Sequence, residues 1–328
     1  MSPLRRPNLA HACLVASVLL LTACGGYARP AVGASPVTAS GTPALLRVYE
    51  TKAARFVPFA RLAQAAGNVD VVFFGEQHDD PATHAAELAV LAALGERRER
   101  VVLSLEMFER DVQPVLDRYL AGTMSEEKFL ADSRPWPRYT TDYRSMVELA
   151  RVRGWPVIAA NVPRRMASAV SRNGLAVLDT MNATDRAYAA KQNTCPKDLY
   201  YKKFVETMGD MSAHGPPGAA ASAMPSLDRI YEAQCVKDET MGESAASALA
   251  LAGKGAVVFH VDGAFHSDYG LGTAERTRRR APDAKTLVIT AVPLTDPLAA
   301  KVADYASRAD FVLFTRAPVK EPARAPAK

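Results

Sequence analysis

The stretches VDVVFFGEQH (residues 69–78) and AVVFHVDGAFH (residues 256–266) decide the fold of this chain. Each begins with an apolar run that is typical of a buried strand. Each run leads into a glycine, Gly75 or Gly263, that is followed three residues later by a histidine, His78 or His266. Strands that are apolar on both faces are typical of a parallel sheet covered by helices. Both stretches therefore predict central strands with an imidazole just beyond each strand end.

Other strand-like and helical segments alternate along the rest of the chain. Further strands are expected at residues 101–105, 157–160, 287–292 and 311–314. Helices are expected at residues 81–94, 112–120, 126–131, 143–153 and 164–172. Such alternation predicts an α/β fold with a mainly parallel central sheet flanked by helices.

Residues 178–253 break this alternation because they contain helical stretches, at 197–211 and 227–251, and no strong strand candidate. We interpret this interval as a helical insertion that forms a lid over the sheet edge. The alternative is a pair of crossover helices joined by a long loop. The glycine- and proline-rich segment at 214–225 predicts that loop, where His214 is expected to be solvated.

The N-terminus predicts export and lipid attachment. Residues 1–23 combine Arg5 and Arg6 with an apolar stretch of about ten residues, too short to span a bilayer, and end at the lipoprotein-like box LTAC. Cleavage before Cys24 and acylation of its thiol would tether the protein to the cell envelope, in the outer membrane if the bacterium has two membranes. The alternative is an ordinary cleaved signal. Residues 24–42 predict a flexible tether, residues 43–316 the folded domain and residues 317–328 a disordered tail.

The cysteines and the charge balance narrow the function classes. An exported chain meets an oxidising compartment, so Cys195 and Cys235 are expected to form a disulfide. A pair of soft metal ligands is the alternative, although no CxxC spacing supports it. The net charge of +5 comes largely from the signal and the tail. The folded part is close to neutral and gives no argument for nucleic acid binding.

Polar side chains follow four of the predicted core strands. In open parallel sheets the ligand crevice lies beyond the carboxyl ends of the strands, so these side chains are expected to share one rim. Each alone has a simpler explanation as a turn former or helix cap, and their convergence is the argument for a site. His84 and Glu87 in the next helix face either the rim or solvent, and His260 is expected in the core. The rim residues are Glu76, His78, Glu106, Asn161, Asp262 and His266.

Two kinds of chemistry suit such a rim. Imidazoles and carboxylates could bind a divalent metal such as Mn or Zn and activate water for hydrolysis. Alternatively, a histidine or tyrosine could be the axial ligand of a haem iron held against apolar walls. The sequence has no HExxH motif, no serine nucleophile elbow and no glycine-rich phosphate loop, so those other chemistries are disfavoured.

Several blocks, in order, resemble the ChaN-like haem-binding lipoproteins, which belong with the Tiki and erythromycin-esterase proteins. The resemblance runs from about Asp70 to Pro293. The blocks are GEQHDDPATH (75–84), LEMFERDVQPVLDRYLAG (105–122), WPxY…DYR (136–144), PVIAANVPR (156–164), EAQCVKDETM (232–241) and GAFHSDYGLG (263–272).

The resemblance implies a surface lipoprotein that binds haem for iron acquisition. It further implies a possible homodimer that sandwiches haem, and an outer-membrane haem receptor as a partner. Candidate axial ligands are His78, His266 and Tyr143, and the basic run 276–280 could meet the haem propionates, although a solvated helix face is the simpler account. A metal-dependent hydrolase with Glu76, His78, Glu106 and His266 as catalytic residues is the alternative function. The haem-binding residues that the family motifs imply are Glu76, His78, Glu106, Tyr143, Asn161, Gln234, Asp238, Glu239 and His266.

Overall fold

The structure is a computed structural model that describes residues 46–213 and 225–318. Cys24, the tether, His214 and residues 319–328 lie outside the described residues.

The strands are β1 (Arg47–Glu50), β2 (Arg55–Val57), β3 (Val71–Glu76), β4 (Arg100–Glu109), β5 (Val157–Asn161), β6 (Ala256–Gly263), β7 (Thr286–Leu294) and β8 (Phe311–Arg316). The helices are α1 (Phe59–Ala66), α2 (Pro81–Gly95), α3 (Gln113–Leu120), α4 (Glu126–Ser133), α5 (Tyr139–Asp142), α6 (Arg144–Arg153), α7 (Arg164–Asn173), α8 (Ala183–Arg186), α9 (Leu199–Ala213), α10 (Leu227–Ala252) and α11 (Gly272–Arg280).

These strands form one sheet in the order β2-β1-β8-β7-β3-β6-β4-β5. All neighbours from β8 to β5 run parallel, whereas β1 runs antiparallel to both β2 and β8. The prediction of an α/β fold with a mainly parallel sheet is confirmed. Strands β1 and β2 were not predicted, and β4 continues through Glu106, which was expected to follow the strand.

Helices cover both faces of the sheet because successive side chains of a strand point in opposite directions. In β3, Val72 and Phe74 belong to the larger core cluster, which includes side chains of α1, α2 and α6. Val71 and Phe73 belong to a second cluster with Ala245 of α10 and residues of α11. The unbroken apolar run of β3 thus reflects burial on two sides, as its sequence predicts.

Helix α10 corrects the interpretation of residues 178–253 as a lid. Its Ala245 and Ala248 pack against Val102 of β4 and Val258 of β6, inside the core on one face of the sheet. The small side chains allow this close approach, so the C-terminal half of α10 is a crossover helix, as in the alternative considered above. Although α10 has 26 residues, no helix in the described stretches is both long and apolar enough to cross a bilayer.

The expected disulfide between Cys195 and Cys235 is present, with the two Cα atoms 5.5 Å apart. It joins the segment before α9 to the middle of α10 and lies beside the buried Tyr200 and Tyr231. The alternative of a soft metal site at these two thiols is therefore wrong.

Candidate functional site

The two Gly-x-x-His motifs lie side by side because β3 and β6 are neighbouring parallel strands. Gly75 pairs with Asp262 in the register, and Glu76 pairs with Gly263. Each glycine leaves room for the other motif: a Cβ atom at Gly75 would lie 2.8 Å from the Cα of Ala264, and one at Gly263 would lie 2.9 Å from the His78 ring. The glycines are thus required for close packing, and both motifs lie at one end of the sheet.

His78 is the half-exposed member of the pair, with 48% of its side chain accessible. Its Nδ1 forms a short hydrogen bond with Glu76 Oε1, and its ring lies 4.9 Å from that of Trp136, edge to face. Burial lowers the pKa of His78, but the Glu76 carboxylate outweighs this effect, so the pKa is raised. Within residues 46–213 and 225–318, no group forms a hydrogen bond with Nε2.

His266 is buried and lies between two carboxylates. Its Nδ1 is 2.6 Å from Asp238 Oδ1, and its Nε2 is 3.4 Å from Glu106 Oε1. Burial lowers the pKa of His266, yet Glu106 and Asp238 outweigh this and raise the pKa to about 10. An imidazolium whose two nitrogens both face carboxylates has no lone pair for a metal. The structure therefore disfavours His266 as an axial iron ligand.

Glu106 connects the two histidines. Its Oε2 accepts a hydrogen bond of 2.8 Å from the backbone N–H of Gly263, the residue over which the His78 ring lies. Burial raises the pKa of Glu106, but the facing His266 reverses this and holds the pKa well below its usual range. Glu106 is therefore a buried anion, and two residues of the second motif, Gly263 and His266, orient it.

Gln234 and Asp238 of α10 also belong to this group, as the family motifs imply. The Gln234 amide nitrogen is 3.1 Å from His266 Nδ1. Asp238 Oδ2 accepts a hydrogen bond of 2.7 Å from the Tyr200 hydroxyl, and Oδ1 accepts one of 3.0 Å from Thr273. Sequence reasoning missed Tyr200, since a tyrosine in an amphipathic helix carries no local signal of its carboxylate partner.

Tyr143 is placed as a hydrogen-bond donor inside the core. It is 1% exposed, and its hydroxyl donates to Glu76 Oε1 over 2.7 Å. Burial and the Glu76 charge raise the pKa of Tyr143 far above its usual range, so the hydroxyl keeps its proton. In this structure the hydroxyl is directed at Glu76, and the expectation that Tyr143 ligates iron as a tyrosinate stays a prediction.

His84 and Glu87, left open between rim and solvent, both face inward. His84 Nδ1 lies 3.1 Å from Glu87 Oε2 and 3.5 Å from Glu76 Oε2. Burial and the adjacent Glu76 carboxylate raise the pKa of Glu87 well above its usual range. A layer of buried acid–base groups thus lies behind His78 and shares Glu76 with it.

The structure does not bring the remaining predicted residues to the two histidines. Asn161 Oδ1 accepts a hydrogen bond from the next backbone N–H, at Val162, which is the ordinary role of a turn former. His260 is fully buried and hydrogen-bonds Ser104, as expected of a core histidine. Asp262 is also buried and accepts a hydrogen bond from Ser267.

The basic run 276–280 of α11 was expected either to meet haem propionates or to form a solvated helix face, and its arginines instead contact a carboxylate of the protein. Arg276 is buried, and it lies 3.4 Å from Glu239, a residue that the family motifs had assigned to the site. Arg279 and Arg280 reach the same carboxylate at 2.5 and 2.6 Å. Glu239 therefore anchors α11 to α10, and these arginines neither form a wholly solvated face nor point to a ligand.

A cleft of about 530 Å³ opens beside Trp136 at the carboxyl ends of β4 and β5. Arg134 and Arg165 already pair with Asp111, whereas Arg164 forms no salt bridge within the described residues. Sequence reasoning missed these arginines, although Arg164 follows a strand as the rim residues do. The cleft is lined by Glu109, Arg134, Pro135, Trp136, Pro137, Arg164, Arg165 and Ser168.

Comparison with known families gives a match over residues 62–277, to the family described as haem-binding uptake, Tiki superfamily, ChaN. The chain belongs to this family. Among solved structures, ChaN of Campylobacter jejuni with cofacial haem has a TM-score of 0.59 at 16% identity, covering 82% of this chain and 96% of that chain. A mutant erythromycin esterase, EreC, in its open conformation gives a TM-score of 0.46 at 9% identity, covering 86% of this chain and 100% of that chain.

One curated relative is the chloroplastic protein RETICULATA-RELATED 5 of Arabidopsis thaliana, 26% identical over 242 residues. The match covers 70% of this chain but 31% of that protein, so the chain spans about a third of its length. The match to this family supports haem as the ligand, and the likeness to the Campylobacter jejuni structure shows the shared fold.

The residues present fit a haem group. A protein haem site needs an iron ligand, apolar or aromatic walls and cations for the propionates. His78 offers an unbonded Nε2, Trp136 lies beside it, and arginines line the cleft that Trp136 shares. A bound haem would supply an iron centre, and His78, which does not line the cleft but lies next to Trp136, would offer an accessible nitrogen.

Proposed function

We propose that this protein binds haem in the cleft beside Trp136, with His78 as the axial iron ligand. One observation carries the proposal: among the candidate ligands, His78 alone combines an accessible side chain with an unbonded nitrogen. A metal-bound histidine usually donates its other N–H to a carboxylate, which orients the ring and raises its basicity. Glu76 is placed to accept that hydrogen bond.

Arginines along the cleft supply the second part of the proposal. Guanidinium groups bind carboxylates with paired hydrogen bonds, so they suit haem propionates. Arg164 lies exposed in the cleft and, in the described residues, has no acidic partner. Arg134 is paired with Glu109 and Asp111, and those salt bridges hold it at the cleft edge. Arg164 is therefore our candidate for the propionate contact.

The test is a hemin titration that follows the Soret band. Wild-type protein is expected to give a saturable shift at one haem per site, and His78→Ala is expected to lose it. Added imidazole should restore part of the shift in His78→Ala, because it replaces the missing ligand. Tyr143→Phe tests the rival ligand and is expected to keep the shift, although its hydroxyl hydrogen-bonds Glu76. Tyr139→Phe, which removes a buried hydroxyl that has no partner among the described residues, is the matched control. Full hemin binding by His78→Ala, or loss of the Soret shift in Tyr143→Phe alone, would overturn the assignment of His78 as the iron ligand.

For the biological role, we propose haem capture at the cell envelope. The family description, haem-binding uptake, supports it, and a lipid anchor at Cys24 would suit a protein that collects a nutrient. A homodimer that shares haem and an outer-membrane haem receptor are the partners that this role would require. Gel filtration of the hemin-loaded protein would test the dimer.

A metal-dependent hydrolase is the second candidate, and the proximity of His266 to Glu106 and Asp238 favours it. Its difficulty is the raised pKa of His266, which makes this imidazole a proton donor rather than a base at neutral pH. Ester or peptide cleavage that depends on Mn or Zn, without any Soret shift, would favour the hydrolase.

A further inference from the structure

Behind His78, a buried cluster of three side chains has the composition of a metal site. We propose that Glu76, His84 and Glu87 bind one divalent transition-metal ion in the interior of the domain. One ligand atom from each residue lies within 4.8 Å of those of the other two. The cluster shares Glu76 with the proposed haem ligand His78, which contacts Oε1, but the metal would bind through Oε2 and the proposal does not depend on haem binding.

Two carboxylate oxygens in this cluster lack a hydrogen-bond donor when both glutamates are ionised. Glu76 is 2% exposed and Glu87 is 0% exposed, yet Glu76 Oε2 and Glu87 Oε1 form no hydrogen bond. Buried polar atoms are nearly always hydrogen-bonded, since an unpaired one loses its hydration without any compensating contact. Glu76 Oε2 lies 3.5 Å from His84 Nδ1, so the unpaired atom points into the cluster. A cation between the two carboxylates would satisfy both.

The surroundings of His84 fit a ligating imidazole. Its Nε2 lies 3.2 Å from the backbone carbonyl oxygen of His78 and 3.5 Å from Asp142 Oδ2. Asp142 is in turn held by Arg138 at 2.6 Å. A proton on Nε2 would therefore have two acceptors, and Nδ1 would present its lone pair to the carboxylates. Such outer partners are the usual support of a histidine that binds a metal.

The charges balance when a divalent ion is present. Two ionised glutamates and a neutral imidazole cancel a charge of +2, which lowers the cost of burying the ion. Without an ion, a proton on Glu87 separates the carboxylates, in keeping with the raised pKa of Glu87. Metal binding would release that proton. The mixed nitrogen and oxygen donors favour Mn²⁺, Fe²⁺ or Zn²⁺ over Mg²⁺, which prefers oxygen ligands.

Metal content of the full chain tests this site. The protein is produced in medium supplemented with Zn²⁺ or Mn²⁺, since the cluster is closed to solvent, and is analysed by elemental mass spectrometry after gel filtration. Wild type should carry one ion per chain, and Glu87→Gln, which copies the shape of the protonated glutamate, should carry close to none. Glu148→Gln, at a different buried carboxylate, and His78→Ala, at the rim, should both keep the ion.

X-ray absorption of the Zn²⁺-loaded wild type gives a second readout that needs no variant. The expected first shell contains one imidazole nitrogen and carboxylate oxygens. Two imidazoles, or loss of the ion in His78→Ala, would instead place the metal at the rim and overturn the proposal. Wild type that stays metal-free in both media, or Glu87→Gln that keeps its ion, would also overturn it. A hemin titration of the same samples separates this result from the haem assignment.

Discussion

At the scale of single residues, the two motif histidines differ in the number of carboxylates that face them, and this difference gives them different roles. His266 has a carboxylate at each ring nitrogen and is buried, so its charged form is stabilised by two ion pairs. His78 has one carboxylate at Nδ1 and keeps Nε2 unbonded. Identical Gly-x-x-His spacing therefore yields a structural cation in one motif and a candidate ligand in the other.

The raised pKa of His266 predicts how stability depends on pH. A histidine whose folded pKa is raised contributes its full stability below its unfolded pKa, near 6.5, and loses it as pH rises towards about 10. We expect the free energy of unfolding to fall by about 1 kcal/mol per pH unit between pH 7 and 9. Urea unfolding at pH 7, 8 and 9 measures it. In His266→Gln, which cannot titrate at this position, the free energy of unfolding should fall less steeply with pH. Equal slopes in the variant and wild type would contradict the raised pKa of His266.

The site residues were only partly predictable, because their roles depend on carboxylates that are distant in the chain. Glu76, His78 and His266 end or follow their strands and Glu106 lies near the end of β4, so their position at one rim could be inferred from the order of the elements. The protonation states of these residues could not be inferred, since they depend on burial and on carboxylates distant in the chain, such as Asp238 beside His266. The hydrogen bond from the Tyr143 hydroxyl to Glu76 could not be predicted either, because nothing local in the sequence indicates it.

At the scale of elements, the strands with long apolar runs were predictable and the short ones were not. Strands β3 and β6 are buried on both faces, and this burial produces the unbroken apolar stretches that identified them. Strands β1 and β2 have four and three residues, with β2 at the sheet edge and β1 next to it, so little apolar sequence marks them. The packing of α10 on the sheet was not predicted, because its alanines do not by themselves indicate which surface they contact.

The contact between the loops after β3 and β6 predicts different effects for their two glycines. At Gly263 a methyl group would meet the His78 side chain, which can swing away. At Gly75 it would meet the backbone of Ala264, which cannot move cheaply. Gly263→Ala should therefore weaken hemin binding, by roughly tenfold for a displacement worth about 1.4 kcal/mol, with little loss of stability.

Gly75→Ala is the matched comparison for that variant. Overpacking of a tight site costs about 1–3 kcal/mol, so its free energy of unfolding should fall by that amount. Hemin titrations and urea unfolding of both variants measure the two effects. Equal stability losses in the two variants, or unchanged hemin affinity in Gly263→Ala, would show that the two loops are not packed as described.

At the scale of the whole molecule, the proposed role requires the folded domain to be held at a membrane while its cleft stays accessible. The rim lies at the carboxyl ends of the central strands, and the cleft opens between the segment before α5 and the start of α7. The composition of residues 24–42 predicts a tether that would let this cleft face solvent whatever the orientation of the anchor. Attachment and haem capture would then be separable properties.

The lipid anchor is the prediction that tests this separation. Expressed in a bacterium with two membranes, the full chain should be found in the outer-membrane fraction and should incorporate radiolabelled palmitate. Cys24→Ser should lose the label and leave the membrane fraction, because a single signal peptide without acylation provides no stable attachment. Its Soret shift with hemin should equal that of wild type, since Cys24 lies before the folded domain. Unchanged membrane attachment in Cys24→Ser would contradict the anchor, and a weakened Soret shift would mean that attachment and binding are coupled.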